Sequence, residues 1–399
     1  MALAGLAVVA LVGGLAATSW QMRETERQRQ AAERRFEQVR ALAKGLLFDY
    51  HDAIQLLPGS TAVRQRMLAD AREHLEALAA ESQGQPLLQR ELGVSYRRLG
   101  ELYHAEARPS LGDVATSLVM IRTGHDLLEQ AAQAQPRDAA TRYQLALAKV
   151  ALARSLRASG DPAAARAPIE QSVALFEQLA VEQPGDKSYR IEQVRGHLRL
   201  TELYGGGSGA ELADPARAQR HLEAALALVE PIRTDLPDDT DALALYGTVR
   251  NLHYLHSANQ GRLEEGLAIL RGLIPVFARL RELAPDNMLF ARDAAVNFLS
   301  QGTMLMRLRR WDEALAASGE ALRRMQAVAE ADPANRAIQR DVAKLQTDVA
   351  WSLGQLGRRG EAEPLLRQAL ARYEELVRHD PGDRRLGRQA AAAEAQAAQ

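Results

Sequence analysis

The sequence predicts an all-α solenoid of about six 48-residue helix pairs, preceded by a helical hairpin and an N-terminal transmembrane helix. Three observations carry that expectation. Pro136, Pro184, Pro237, Pro285, Pro333 and Pro381 lie 48, 53, 48, 48 and 48 residues apart. A fixed period of this size marks stacked units that bury their apolar faces only against each other. Small residues recur at constant offsets from each proline. The composition is rich in Ala, Leu, Arg, Glu and Gln and sparse in Val, Ile and Thr, which favours helix over strand.

Residues 1–22 read as a membrane anchor. Ala2 to Met22 carries no charge, and about 20 helical residues span about 30 Å of hydrocarbon. Trp20 falls at the interface, followed by Arg23. The rival is a cleavable signal peptide, but Met1-Ala2-Leu3-Ala4 lacks the basic start of one, and Ala16-Ala17-Thr18-Ser19 is a weak cleavage site. Residues 23–84 read as a juxtamembrane helix and a hairpin. Phe36, Val39, Leu42, Leu46, Leu47, Tyr50 and Ile54 share one helical face. Leu57-Pro58-Gly59-Ser60-Thr61 breaks the helix, and Ser60 or Thr61 caps the next. That helix is expected from about Ala62 to Glu81, with Met67, Ala71, Leu75 and Leu78 inward.

Residues 85–382 form the repeats. The cleanest copy runs from Pro333 to Pro381: a helix from Asn335 to Leu356, a break at Gly357-Arg358-Arg359-Gly360, a helix from Glu361 to His379, and a stop at Asp380-Pro381. Seventeen residues after each proline stand Ala153, Thr201, Tyr254, Gly302 and Ala350. Twenty-four after are the turn positions Gly160, Gly261, Arg309 and Gly357. Twenty-nine after are Ala165, Gly266, Ala314 and Ala362; thirty-six after are Ser172, Leu273, Ala321 and Ala369. Small residues on both helices let paired backbones approach closely. The unit at Pro184 fits if five residues are inserted at Gly205-Gly206-Gly207-Ser208-Gly209, which puts Asp214, Ala218, Leu222 and Ala225 in register. A first unit, with Gly93, Gly100 and Gly112-Asp113, fits with a longer loop around Arg108-Pro109-Ser110. Residues 383–399 read as a capping helix or a disordered tail.

The order of small residue, turn glycine, Ala and Ala resembles the tetratricopeptide (TPR) repeat, most clearly at Arg310-Trp311-Asp312-Glu313-Ala314-Leu315 and Gly357-Arg358-Arg359-Gly360-Glu361-Ala362. A TPR unit is about 34 residues long, and the excess here fits about two extra turns on each helix. In that family the first helices line a groove. Its groove positions, mapped onto this register, point to Arg97, Glu101, Arg154, Arg195, Glu202, Asn251, Thr303, Lys344 and Trp351. The row is mixed in charge and suited to a peptide backbone or terminus.

A second resemblance rests on Val39 to Ile54, Leu57-Pro58-Gly59-Ser60-Thr61, Leu88-Gln89-Arg90-Glu91-Leu92 and Leu111-Gly112-Asp113. These are similar to the region that follows the transmembrane helix in bacterial transmembrane serine/threonine protein kinases with C-terminal TPR-like repeats. In that family a cytoplasmic kinase domain precedes the membrane span. This chain begins at the span, so it carries no kinase catalytic residue. It reads as a kinase-less relative, a split gene, or a start assigned too late.

Composition excludes several chemistries. Lys+Arg 50 against Asp+Glu 51 leaves a net charge of -1 with the signs interspersed, which argues against a nucleic-acid partner. With no Cys there is no disulfide, thiolate metal site or Cys nucleophile. There is no phosphate-binding loop, dinucleotide fingerprint or kinase motif, so no catalytic residue, cofactor or metal is expected. Gly205 to Gly209 lies between helices without a strand or Lys and reads as a loop insertion. His253 and His256 lack a third metal ligand and read as a surface or interface pair; His51-Asp52 lacks a nucleophile and reads as structural.

The expectation is a single-pass bacterial inner-membrane protein, held by its N-terminal helix, whose repeats bind a protein or peptide as the scaffold or sensor half of a kinase-like signalling protein. The alternatives are a fragment of a transmembrane serine/threonine kinase and an envelope assembly factor or chaperone. Topology is contested: the kinase resemblance puts the repeats in the periplasm, and Arg23, Arg27, Arg29, Arg34 and Arg35 after the span argue for the cytoplasm. The periplasmic side is preferred.

Overall fold

The computed structural model describes Trp20, Arg34 and residues 61–104, 112–207, 213–333, 335–379 and 384–397. All but Trp20 of the expected anchor at 1–22, the first helix of the hairpin apart from Arg34, and His51-Asp52 lie outside the described residues. No helix among the described residues is long and apolar enough to cross a membrane. The chain divides into two compact units, Met1–His221 and Leu222–Gln399.

The first unit opens with α1 (Thr61–Ala80), which packs on α2 (Pro86–Tyr103) through Leu68, Ala71 and Leu75. Helix pairs follow: α2 with α3 (Val114–Ala134), then α4 (Ala139–Ala158) with α5 (Pro162–Glu182). Next comes α6 (Lys187–Glu202), which runs into a π-helical turn at Leu203–Gly207. Gly205 to Gly207 therefore belong to this turn, and the inserted loop begins after them. The division between units falls within the bounds of α7 (Pro215–Asp235).

The second unit holds α8 (Thr240–Asn259), α9 (Leu263–Gly272) and α10 (Ile274–Leu283). The pairs α11 (Met288–Arg307) with α12 (Trp311–Ala331) and α13 (Arg336–Gln355) with α14 (Arg359–His379) follow. The tail is α15 (Arg384–Ala397), packed on α14 through Leu386 and Ala393. In each unit successive first helices also touch one another, α2 with α4 and α11 with α13, which makes them an inner layer.

The proline signature has a local cause. Each of Pro136, Pro184, Pro237, Pro285 and Pro333 is the second residue of a four-residue turn that the next helix cap closes. The N–H groups of Asp138, Asp186, Asp239, Asn287 and Asn335 donate to Gln135, Gln183, Leu236, Ala284 and Asp332. The same five side chains accept from the first turn of the helix they open. Each such cap contributes about 1 kcal/mol.

The turn positions are left-handed. Gly160, Gly261 and Gly357 have φ of 89°, 79° and 75°, and Arg309 has 58°. The next residue then donates to the carbonyl five before it, at 2.9 Å in all four: Asp161 to Leu156, Arg262 to Ser257, Arg310 to Leu305, Arg358 to Leu353. This satisfies a carbonyl that the helix end leaves free. Two further units replace the tight turn by a longer one. There Asp113 N–H donates to Tyr103 O at 3.0 Å and Asp214 N–H to Tyr204 O at 2.9 Å, so both loops return to the same place.

Two boundaries differ from expectation. α14 starts at Arg359, because one left-handed residue, Gly357, suffices to reverse the chain, and Gly360 is already helical. The second helix of the unit at Pro237 is interrupted at Leu273. Pro275 lacks the N–H owed to Arg271 O and its ring crowds that carbonyl, so the chain tightens, with Leu273 N–H on Leu270 O at 3.1 Å.

The offset residues form the inter-helix seam: Ala153, Ala165, Ala314, Ala321, Ala350 and Ala369 are all buried. In the first pair glycine replaces alanine. A Cβ on Gly93 would lie 2.6 Å from Leu128 Cγ and 2.8 Å from Gly124 O. Gly93→Val should therefore destabilise the chain by about 1–3 kcal/mol through overpacking. Arg309→Gly should stabilise it by about 1 kcal/mol, since an L side chain is penalised at positive φ. Urea unfolding followed by circular dichroism checks both signs; an unchanged midpoint for Gly93→Val would contradict the close approach.

Candidate functional site

The nine expected groove residues fall into two groups. In the first unit α2 carries Arg97 and Glu101 one turn apart, and Arg97 Nη1 donates to Glu101 Oε1 at 2.9 Å. Arg154 of α4 reaches the same oxygen, Nη2 to Oε1 at 3.2 Å. One carboxylate thus bridges two successive first helices. On α6, Arg195 Nη1 donates to Glu192 Oε1 at 2.5 Å, and Arg199 Nη1 stands 3.7 Å from the other Glu192 oxygen.

A cavity of about 260 Å³ opens between α4 and α6. Arg154, Arg157, Arg195, Arg199 and Glu202 surround it, over a floor of Val150, Ile169 and Leu198. Three expected residues therefore share one site: Arg154, Arg195 and Glu202. Arg157, Arg199 and Glu192 were not anticipated. Their signal was helical spacing, since Arg157 follows Arg154 by three residues and Arg199 follows Arg195 by four, which places each pair on one face. Burial holds the Arg199 pKa below its ordinary value; Glu192 opposes this, and Arg154 and Arg195 reinforce it.

The second unit differs. Asn251 is half-buried on α8. Thr303 Oγ1 donates to Leu299 O in its own helix at 3.0 Å. Lys344 pairs with Asp348 one turn on, whose carboxyl is pushed up by burial with Lys344 opposing. Trp351 lines a larger cavity of about 490 Å³ between α13 and α14, with Ala350, Gly354, Leu366 and Leu370. In the unit at Pro237, Met304 and Leu305 of the following first helix cover the corresponding surface beside Ala258, Leu267 and Leu270. The same register position on the α13–α14 pair is open and forms this cavity. The candidate site is the one between α4 and α6.

Two clusters have side chains of metal-ligand type. His125, Asp126 and Glu129 lie together on α3. The Lys149 ammonium already sits among them, 3.2 Å from His125 Nε2 and 3.8 Å from Glu129, and donates to Gln171 Oε1 at 2.8 Å. His253 pairs with Glu265 at 3.5 Å, and His256 Nε2 lies 2.7 Å from Gln260 Nε2. A third polar cluster joins His197 Nδ1 to His221 Nδ1 at 3.1 Å, with Glu177 Oε1 3.6 Å from His197 Nε2. One imidazole donates and the other accepts, which requires the accepting ring to be neutral. Burial, with His221 adding, pushes His197 down to about 4. Burial and then Arg220 lower His221.

Residues 342–381 match the family model described as tetratricopeptide repeat. No curated protein matches the chain. Among solved structures, the chain is similar to the S. pombe nuclear import adaptor Nro1, at 10% identity, covering 77% of this chain and 99% of that one with a TM-score of 0.50. It is also similar to a thermophilic TPR protein of Thermus thermophilus, at 18% identity, covering 62% of this chain and 98% of that one with a TM-score of 0.32. The described chain is an all-helical array of TPR-like repeats.

The histidine pair sets a pH dependence. His197 titrates near 4 when folded and near its ordinary 6.5 when unfolded, so the unfolded chain binds the extra proton between those values. Its contribution is intact above 6.5 and is lost as pH falls toward 4. Urea midpoints measured across this window should fall more steeply for the native chain than for His197→Asn; parallel curves would rule the pair out as the cause.

Proposed function

We propose that the chain is a protein-binding scaffold whose docking surface is the first-helix face of the Met1–His221 unit. The observation that carries this reading is the cavity between α4 and α6, about 260 Å³, rimmed by Arg154, Arg195 and Glu202 on the inner layer of helices. Arg and carboxylate side chains on a preformed surface fix a peptide by charge-assisted hydrogen bonds with little ordering cost. Binding is reversible and involves no covalent step.

The scaffold is tethered to a bacterial inner membrane by residues 1–22, with the repeats in the periplasm. The uncharged run from Ala2 to Met22 supports the tether, and the likeness of Val39–Thr61 to the transmembrane kinases supports the side. The same likeness favours a second reading, in which the chain is the repeat half of a serine/threonine kinase. Reading the DNA upstream of Met1 separates the two. A kinase sequence running in frame into Met1 would sink the stand-alone scaffold.

The docking reading is tested by displaying a peptide library against the immobilised full chain in detergent. Peptides enriched on the native chain should bind Arg154→Glu about tenfold more weakly, a difference of about 1.4 kcal/mol. Enrichment that is indifferent to Arg154, Arg195 and Glu202 substitutions would remove the surface from consideration.

A further inference from the structure

We infer that the cavity between α4 and α6 receives a doubly charged oxyanion of the phosphoryl class, carried on a protein partner; this deepens the protein-binding reading above and rests on it. Four guanidinium groups line the cavity, Arg154, Arg157, Arg195 and Arg199, with one carboxylate, Glu202, in the lining and two more, Glu101 and Glu192, beside it, so cations outnumber carboxylates by one (four minus three). Glu101 takes up Arg154 and Glu192 takes up Arg195. Arg157 makes no ion pair among the described residues. Arg199 Nη1 is buried without a hydrogen-bond partner, since Glu192 is 3.7 Å away.

That combination is costly unless an anion completes it. A buried N–H without an acceptor forfeits its hydration, and like charges crowd one another. The apolar floor of Val150, Ile169 and Leu198 offers no competing hydrogen bonds and lowers the dielectric beneath any charge placed above it. Arg157 and Arg199 are the two guanidinium groups without a hydrogen-bonded carboxylate, and a single carboxylate brings one charge and two oxygens to them. A phosphoryl group brings about two charges and offers three acceptor oxygens to planar forks. Every lining cation is Arg, the side chain whose geometry matches such an oxyanion. Glu101, Glu192 and Glu202 around the same face repel an extended polyanion, which favours a phosphorylated side chain over a nucleic-acid backbone.

The probe is a pentapeptide of Ala and Gly with a central phosphoserine, labelled with fluorescein at its N-terminus and amidated at its C-terminus, into which the full chain in detergent is titrated and binding is read by fluorescence anisotropy. It should bind about tenfold more tightly than its glutamate counterpart, with the serine version weaker still. Arg157→Gln should weaken it about tenfold. Arg199→Lys keeps the charge but loses the fork, and should weaken it to an intermediate degree. Arg157 sits at the half-exposed rim, so its variant is expected to keep native helicity and melting temperature even where an Arg199 change does not. Equal binding of the glutamate peptide, tighter binding of a single-stranded oligonucleotide, or indifference to Arg157 would each overturn the proposal. If library peptides still depend on Arg154 while phosphoserine brings no gain, only the oxyanion assignment falls. If neither shows any dependence on the surface, the docking reading falls with it.

Discussion

Everything in this chain depends on how closely the two helices of a pair can approach. In the first pair, backbone meets backbone: Gly124 would place a Cβ 2.7 Å from Gly93 O and 2.9 Å from Arg97 N. In a later pair, a Cβ on Gly302 would lie 2.2 Å from Ser318 Oγ. Elsewhere alanines hold the seam. Such contacts leave no room for a ligand where Gly93 meets Gly124 and where Gly302 meets Ser318. They also fix the rotation of each helix about its own axis, and so decide which residues face outward on the inner layer. Arg97, Glu101, Arg154 and Arg195 project there because Gly100, Ala153 and Gly196 occupy the seam.

The seam also explains why size is a poor guide to the site. The larger cavity, beside Trp351, lies on the last helix pair of the second unit, at a position where an earlier pair receives the next first helix. Its walls mix Ala350, Ala362, Leu366 and Leu370 with Gln355, Arg359, Glu363 and Arg367. The smaller one lies between α4 and α6, where successive first helices diverge above Ile169. Its walls are charged side chains that cross from one helix toward the next. A solenoid places chemistry between units because the interior of each unit is already filled.

Much of the fold was legible because repeats write the same physical requirement several times. Four left-handed turn positions were picked out by a single offset, and the one that is Arg still adopts positive φ because its neighbours impose the geometry. The five Asp and Asn caps two residues after a proline are equally visible in the sequence, and they explain why proline is there at all. The break at Leu273 needed Pro275 to be weighed against a helix pattern that otherwise continued through it. The site was harder to see. Arg157 and Arg199 sit outside the borrowed groove positions, and only the distance between α4 and α6 shows that they converge. Sequence spacing gives the face of one helix; it does not give which residues of two helices meet.

The two units show what makes a polar surface a candidate at all. Thr303 returns its hydroxyl to Leu299 O, and Lys344 commits its ammonium to Asp348, so these groups are satisfied inside their own helices. In the first unit Glu101 bonds simultaneously to Arg97 on its own helix and to Arg154 on the next. A charge shared between helices holds its neighbours in place before any ligand arrives, and that lowers the ordering cost of binding. Arg199 is the residue this arrangement leaves over: held in position, desolvated, and short of one acceptor. The buried Nη1 of Arg199 leaves this surface short of an acceptor, and the sign of that deficit sets the charge of the ligand proposed for it.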